Sequence, residues 1–208
     1  MVTEEDVTIM LPNPRYDGGV SVEEALLKRR SIRDYTAQAL TLKELAQLLW
    51  AAQGTSDPGV LRTAPSAGAT YPLKVYAVVG DGAAIAGGIY SYKPQTHRLL
   101  KVVDGDKRSA LAAAAIDQQF INRVPVNLVI TAVYEKTTDH YGQRGIRYVD
   151  MEAGHVAQNV YLQAVALNLG TVVVGAFDDS QVAEILRLSD NEVPLYIMPV
   201  GRIKEQGE

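Results

Sequence analysis

The chain has 208 residues, 47% of them hydrophobic and 21% charged, with 20 basic against 24 acidic side chains and a net charge of −4. That length supports one well-packed domain or at most two small ones, and the composition is that of an ordinary globular protein rather than a disordered one. The acidic balance argues against non-specific nucleic-acid binding, and the absence of cysteine excludes disulfides, iron–sulfur clusters, thiolate metal sites and cysteine nucleophiles.

The N-terminus, MVTEEDVTIM, lacks the basic and apolar regions of a signal peptide, and apolar runs such as VPVNLVITAV are too short to span a bilayer. A cytoplasmic protein that binds neither membrane nor nucleic acid is the expectation. Residues 1–20 read as an extended arm ending in the turn-rich PNPRYDGG. Ser21 opens a helix that runs to about Arg29 or Arg30, with Glu24 at the capping-box position. Thr41 and Glu44 repeat the same start signal for a helix through Ala52, whose apolar face is Leu42, Leu45, Leu48, Leu49 and Ala52. A loop rich in Gly, Pro, Ser and Thr follows, from Gly54 to Pro72. Strand signals come next, at LKVYAVVG (73–80) and in a hairpin made from GIYSYKP and HRLLKVV.

A helix is expected over roughly Lys107 to Ile116 and a buried strand at Val126–Tyr134. Arg147 to Asn168 is the longest helical segment. Tyr161, Leu162 and Val165 carry its apolar character beyond one stripe, so it should be buried by more than one neighbour, one of them a candidate second subunit. Gly170 reads as its C-terminal cap, TVVVGAF (171–177) as a short strand, Asp178 or Asp179 as the cap of another helix, and VPLYIMPVG (193–201) as the last strand. With no repeat and no long linker, the arm is followed by a single α+β domain over residues 21–208.

The segment RRSIR places Arg29, Arg30, Ser31 and Arg33 within five residues. On a helix Arg29 and Arg33 would share a face, and guanidinium forks beside a hydroxyl suit a phosphate. Cations near a helix C-terminus also complement its dipole without any ligand, so the cluster alone leaves both readings open. His97, His140 and His155 show no ligand spacing, and no metal site is expected. No GxGxxG or Walker sequence occurs, so a dedicated dinucleotide fold is not expected either.

Four segments, in order, resemble the FMN-dependent nitroreductase family: RRSIRDY (29–35), APSAGATYP (64–72), EAGHVAQNVYLQAVALNLGTVVVGAFDD (152–179) and PVGRI (199–203). SAGATYP and YVDMEAGHVAQN are similar to its SagB-type dehydrogenase branch, which contains the azoline oxidases. The resemblance implies a nitroreductase-like α+β sandwich, a central mostly antiparallel sheet flanked by helices, in a domain-swapped homodimer with FMN at the subunit interface. It implies that Arg29, Arg30, Ser31 and Arg33 hold the phosphate and ribityl chain, and that Pro65, Ser66, Ala67 and Gly68 lie against the flavin of the partner. Backbone amides of Val174, Gly175 and Ala176 would face the flavin N5 and O4 edge. Arg202, with Lys204 as competitor, would add a cation for the phosphate.

Azoline oxidases are associated with a Lys-Tyr pair just before the E-A-G-H segment. Here the pair is Arg147-Tyr148, and an arginine stays protonated and cannot serve as a base. Tyr148 is thus the one candidate acid–base residue, the flavin carrying the chemistry otherwise. The expected activity is electron transfer from NAD(P)H to a small organic acceptor such as a nitroaromatic or quinone. The alternatives are a SagB-like dehydrogenase acting on a heterocycle or peptide-derived substrate, and a non-catalytic flavin-binding module.

Overall fold

The structure is a computed structural model that describes residues 7–57 and 61–204. The first six residues of the expected arm, the middle of the Gly54–Pro72 loop and the last four residues lie outside them. Seven strands form one sheet in the order β1-β4-β3-β2-β5-β7-β6. They are β1 (Thr8–Met10), β2 (Leu73–Val79), β3 (Gly88–Lys93), β4 (Arg98–Asp104), β5 (Val126–Ala132), β6 (Leu169–Thr171) and β7 (Val193–Arg202), and every neighbouring pair whose register is resolved is antiparallel. The arm is therefore part of the sheet, since β1 pairs with β4 from Thr8 to Met10.

Alternation along the strands builds two cores. From β2, Leu73, Val75, Ala77 and Val79 face one side, where α2 (Leu42–Gln53) and α6 (Arg144–Ala166) pack; Tyr76 and Val78 face the other, with α3 (Arg108–Ala114) and α7 (Asp179–Leu186). Helix α2 shows why this sequence folds locally. The Thr41 side chain accepts from the Glu44 N–H while the Glu44 carboxylate accepts from the Thr41 N–H, a complete capping box. Behind it Leu45, Leu48, Leu49 and Ala52 are buried, each leucine contributing about 1.5–3 kcal/mol of hydrophobic burial.

Helix α6 runs along that face of the sheet. Its buried stripe is Val149, Glu152, Ala153, Val156, Ala157, Val160, Tyr161 and Ala164, while Leu162 and Val165 are half-buried beside it. Two short helices, α4 (Phe120–Arg123) and α5 (Glu135–Tyr141), join the elements read from the sequence, and α5 packs against α6. Among the described residues no helix is long and apolar enough to cross a membrane.

Three expectations are corrected. Helix α1 (Val22–Lys28) ends before the arginine cluster, with Arg29 as its C-cap at φ −55 and ψ 123, so Arg29 and Arg33 share no helical face. Gly170 does not cap α6; Leu167 is the C-cap, Asn168 takes the left-handed conformation at φ 55, and Gly170 lies within β6. The expected strand over 171–177 is displaced toward the N-terminus, because only Thr171 belongs to β6 and beyond it a single bridge, Val174 to Ile197, remains.

Candidate functional site

Beyond α1 the arginine-rich segment runs extended along the sheet edge. Ser31 bridges Thr171 in parallel, the Ile32 N–H donates to the Thr171 carbonyl at 2.9 Å, and Tyr35 bridges Ile203. Close approach requires Gly170, where an added Cβ would come within 2.8 Å of the Ile32 side chain. Extended backbone alternates its side chains, so Arg29, Ser31 and Arg33 fall on one side and Arg30 and Ile32 on the other.

Tyr161 of α6 organises that first side. Its hydroxyl lies 3.1 Å from Ser31 Oγ and accepts the Val173 N–H at 2.9 Å, while the Arg29 guanidinium sits over its ring at 5.2 Å. One buried phenol thus joins the arginine segment to the strand leading to Val174. Arg29 is half-buried and Arg33 exposed, and neither has a carboxylate within ion-pair distance among the described residues. Arg30 does not join them. Its Nη1 turns back to the carbonyls of Leu27 at 2.9 Å and Arg29 at 2.7 Å, closing the end of α1.

On the other side of Tyr161, Val174 is buried, whereas Gly175 and Ala176 are exposed and their N–H groups find no acceptor among the described residues. Backbone donors left open to a ligand are suited to a developing negative charge.

Arg202, at the end of β7, pairs with Glu44 through Nη2 at 2.6 Å, and its Nε is buried without a partner among the described residues. It lines an open cleft together with Lys28, Thr36, Gln38 and Asn168. Lys204 is exposed. The arginine is therefore engaged with a carboxylate through one of its donors, while the lysine is tied by its backbone N–H to the Asp34 carbonyl at 3.3 Å and its ammonium has no ion-pair partner among the described residues.

The loop Pro65-Ser66-Ala67-Gly68 is pinned to α6 elsewhere. The Ala67 N–H donates to Glu152 Oε1 at 2.8 Å, Ser66 Oγ accepts the Tyr71 N–H at 2.9 Å, and Thr70 Oγ1 meets Thr137 Oγ1 of α5 at 2.7 Å. Gly68 takes φ +58 and rests on the Tyr141 hydroxyl, where a Cβ would come within 2.7 Å. Burial pushes the Glu152 carboxyl pKa up, against the hydrogen bonds from Ala67 and Ser66 and the charge of His155, which hold it down. Glu152 and Tyr161 are nine residues apart on one helix, about 14 Å along its axis. Tyr148 is half-buried between the Tyr141 ring, edge-on at 5.3 Å, and the Arg144 guanidinium at 5.7 Å.

Two residues that organise the site lie within the family-like segment 152–179, but the resemblance assigns neither of them a role. Tyr161 reads as one more member of an apolar stripe. Glu152 could have been found, as a lone carboxylate between Val149, Ala153 and Val156 on the buried stripe.

The family model for nitroreductases matches residues 26–202. The chain belongs to the nitroreductase family. It is thereby an oxidoreductase by descent, and the match spans both the arginine segment and Arg202. A protein of Methanocaldococcus jannaschii, provisionally named a nitroreductase, is 50% identical over 183 residues, covering 88% of this chain and 91% of that one. The microcin B17-processing protein of Escherichia coli is 28% identical over 173 residues, and the match spans 80% of this chain and 64% of that protein. An NADPH-flavin oxidoreductase of Vibrio harveyi is 23% identical over 193 residues, 89% of this chain and 67% of that one. Among solved structures, a Ralstonia eutropha protein provisionally described as a nitroreductase superposes with a TM-score of 0.83 at 31% identity, covering 96% of this chain and 90% of that one.

Proposed function

We propose that the protein is an FMN-dependent oxidoreductase that passes electrons from NAD(P)H to a small organic acceptor such as a quinone or nitroaromatic. The observation that carries this is the Tyr161 junction, with the cations of Arg29 and Arg33 on one side and the N–H groups of Gly175 and Ala176 on the other, the cations without an ion-pair partner and the N–H groups without an acceptor among the described residues. An anion at the first and a polar ring edge at the second match the two ends of a flavin mononucleotide. FMN, when bound, supplies the hydride-accepting and hydride-donating centre.

In this reading Arg29, Ser31 and Arg33 hold the phosphate by charge-assisted hydrogen bonds, and Arg202 adds positive charge from the lining of the neighbouring cleft at the end of the closing strand. Arg30 contributes charge, with its Nη1 held on the carbonyls of Leu27 and Arg29 and its remaining donors left for the ligand. The N–H groups of Gly175 and Ala176, following Val174, stabilise negative charge at the N5 and O4 edge. Pro65, Ser66, Ala67 and Gly68 serve a second site, about 14 Å along α6 from Tyr161, which supports a homodimer in which each loop completes the partner's pocket.

A second reading draws on the microcin-processing relative: a SagB-like dehydrogenase acting on a peptide-derived heterocycle. Oxidising such a ring requires a base at the substrate carbon. Arg147 cannot be that base, and Tyr148 has a guanidinium, not a carboxylate or a lysine, over its ring.

The test is purification followed by denaturation and anaerobic reduction. The protein should be yellow, release FMN rather than FAD, and bleach with NADH or NADPH. A colourless protein that takes up no added FMN overturns the reading. Thiazoline oxidation lost in Tyr148→Phe, with negligible quinone reduction, favours the dehydrogenase instead.

A further inference from the structure

The corner between α5 and α6 has no part in the flavin-binding roles assigned above, and of its residues only Arg147 and Tyr148 bear on the chemistry weighed there, as the pair that stands at the position of a Lys-Tyr base. His140 and Tyr141 meet edge-on at 4.5 Å, Tyr141 and Tyr148 at 5.3 Å, and Arg144 lies 5.7 Å from the Tyr148 ring. Arg147 is exposed one helical step from Arg144, on the same side of α6. Neither arginine has an ion-pair partner among the described residues, although Asp139 and Asp150 are close in sequence; Asp150 takes the Tyr134 hydroxyl at 2.5 Å instead. The corner is fixed against the flavin loop, because the Tyr141 hydroxyl touches Gly68 and Thr137 bonds Thr70.

We propose that this corner docks a planar, anionic aromatic acceptor, with Tyr141 and Tyr148 taking the ring and Arg144 and Arg147 taking a carboxylate or sulfonate attached to it. The inference rests on the flavin reading for its chemistry and on the corner alone for its specificity. Aromatic edges and faces bind flat rings, and guanidinium forks match the planar geometry of carboxylates and sulfonates. Two guanidiniums without ion-pair partners among the described residues, set beside two tyrosine rings, are complementary to a ligand that carries its anion on its ring system. A nicotinamide dinucleotide separates its phosphates from its ring by a ribose, and so fits less well. With a quinone in place the reaction balances as quinone plus NAD(P)H plus a proton giving hydroquinone plus NAD(P)+, the nicotinamide supplying one hydrogen as hydride and solvent supplying the proton.

The test compares the purified protein with the Arg144→Gln/Arg147→Gln double variant. Naphthoquinone sulfonate and the parent naphthoquinone are the acceptors, at saturating NADH and NADPH in turn. The ratio of kcat/KM for the sulfonate to that for the parent should fall about tenfold in the variant. In the wild type that ratio should also fall as salt is raised. A ratio that does not move, or a variant that raises only the KM for NADPH, overturns the proposal. Calorimetry with redox-inert naphthalene sulfonate and naphthalene methanol reads the same preference without turnover. Loss of sulfonate preference in a yellow, active protein removes the docking surface and leaves the flavin reading intact. A colourless protein that still prefers the sulfonate through the two arginines does the reverse.

Discussion

Replacing Tyr161 by Phe removes one oxygen and leaves the ring, and with it the Arg29 stacking. The lost hydroxyl accepts the Val173 N–H at 2.9 Å and lies 3.1 Å from Ser31 Oγ. Ser31 is exposed and recovers a bond from water; Val173 is half-buried and its N–H does not recover fully. An ordinary hydrogen bond is worth about 0.5–1.5 kcal/mol and an unsatisfied buried donor costs about 1–3 kcal/mol, so the half-buried case falls at about 1–2 kcal/mol. For a domain of this size each kcal/mol lowers Tm by about 2–4 °C, giving a drop of about 2–8 °C in calorimetry. Hydrogen exchange should locate the damage, with the Val173 amide losing protection while the β5 amides keep theirs. FMN affinity should fall too, since the arginine segment loses its tie to the strand. A Tm within one degree of the wild type, by about the same calorimetric measure, with Val173 protection unchanged, would refute the argument that this phenol joins the two halves of the site.

Thr41→Ala removes the side-chain half of the α2 capping box, leaving the Glu44 carboxylate on the backbone N–H of residue 41, and should cost about 1 kcal/mol, read as a Tm loss of about 2–4 °C with FMN content retained. Glu152→Gln should stabilise the protein more at high pH than at low. The buried carboxyl has its folded pKa raised, so its ionisation cost is absent below the ordinary carboxylate pKa of about 4 and appears as pH rises through the folded value. The difference in Tm between variant and wild type should therefore grow from acid to alkaline pH; a difference that shrinks over that range would show that the Ala67 and Ser66 hydrogen bonds outweigh desolvation.

The elements with strong local signals were legible in the residues. Thr41 and Glu44 announce α2, Asp178 caps α7 through the Gln181 N–H, and GIYSYKP with HRLLKVV forms the hairpin of β3 and β4. The arginine cluster was legible as a set of residues and not as a geometry. Its spacing suits a helix, but pairing of Ser31 with Thr171, distant in sequence, holds it extended, and Arg30 is drawn away to cap the helix that ended early. The strand after α6 was misplaced for a related reason. Asn168 adopts the left-handed turn that Gly170 seemed made for, because Gly170 is needed flat against Ile32 and Ile203. The short helix α5 has a mixed, polar sequence, EKTTDHY, whose formation depends on packing against α6. The roles of Tyr161 and Glu152 are tertiary facts: each takes its meaning from a segment far away in the chain.

The central claim is that Arg29, Ser31 and Arg33 form a phosphate site, and the most direct test is to titrate the flavin-free protein with FMN and with riboflavin, which differ by that phosphate alone. Two charge-assisted contacts at about 1.5–3 kcal/mol each predict a preference for FMN of at least about a hundredfold. In an Arg29→Ala/Arg33→Ala double variant the preference should collapse to within a few-fold, with riboflavin affinity much less affected. Equal affinity of the wild type for the two flavins, or a preference that survives loss of both arginines, would contradict the account.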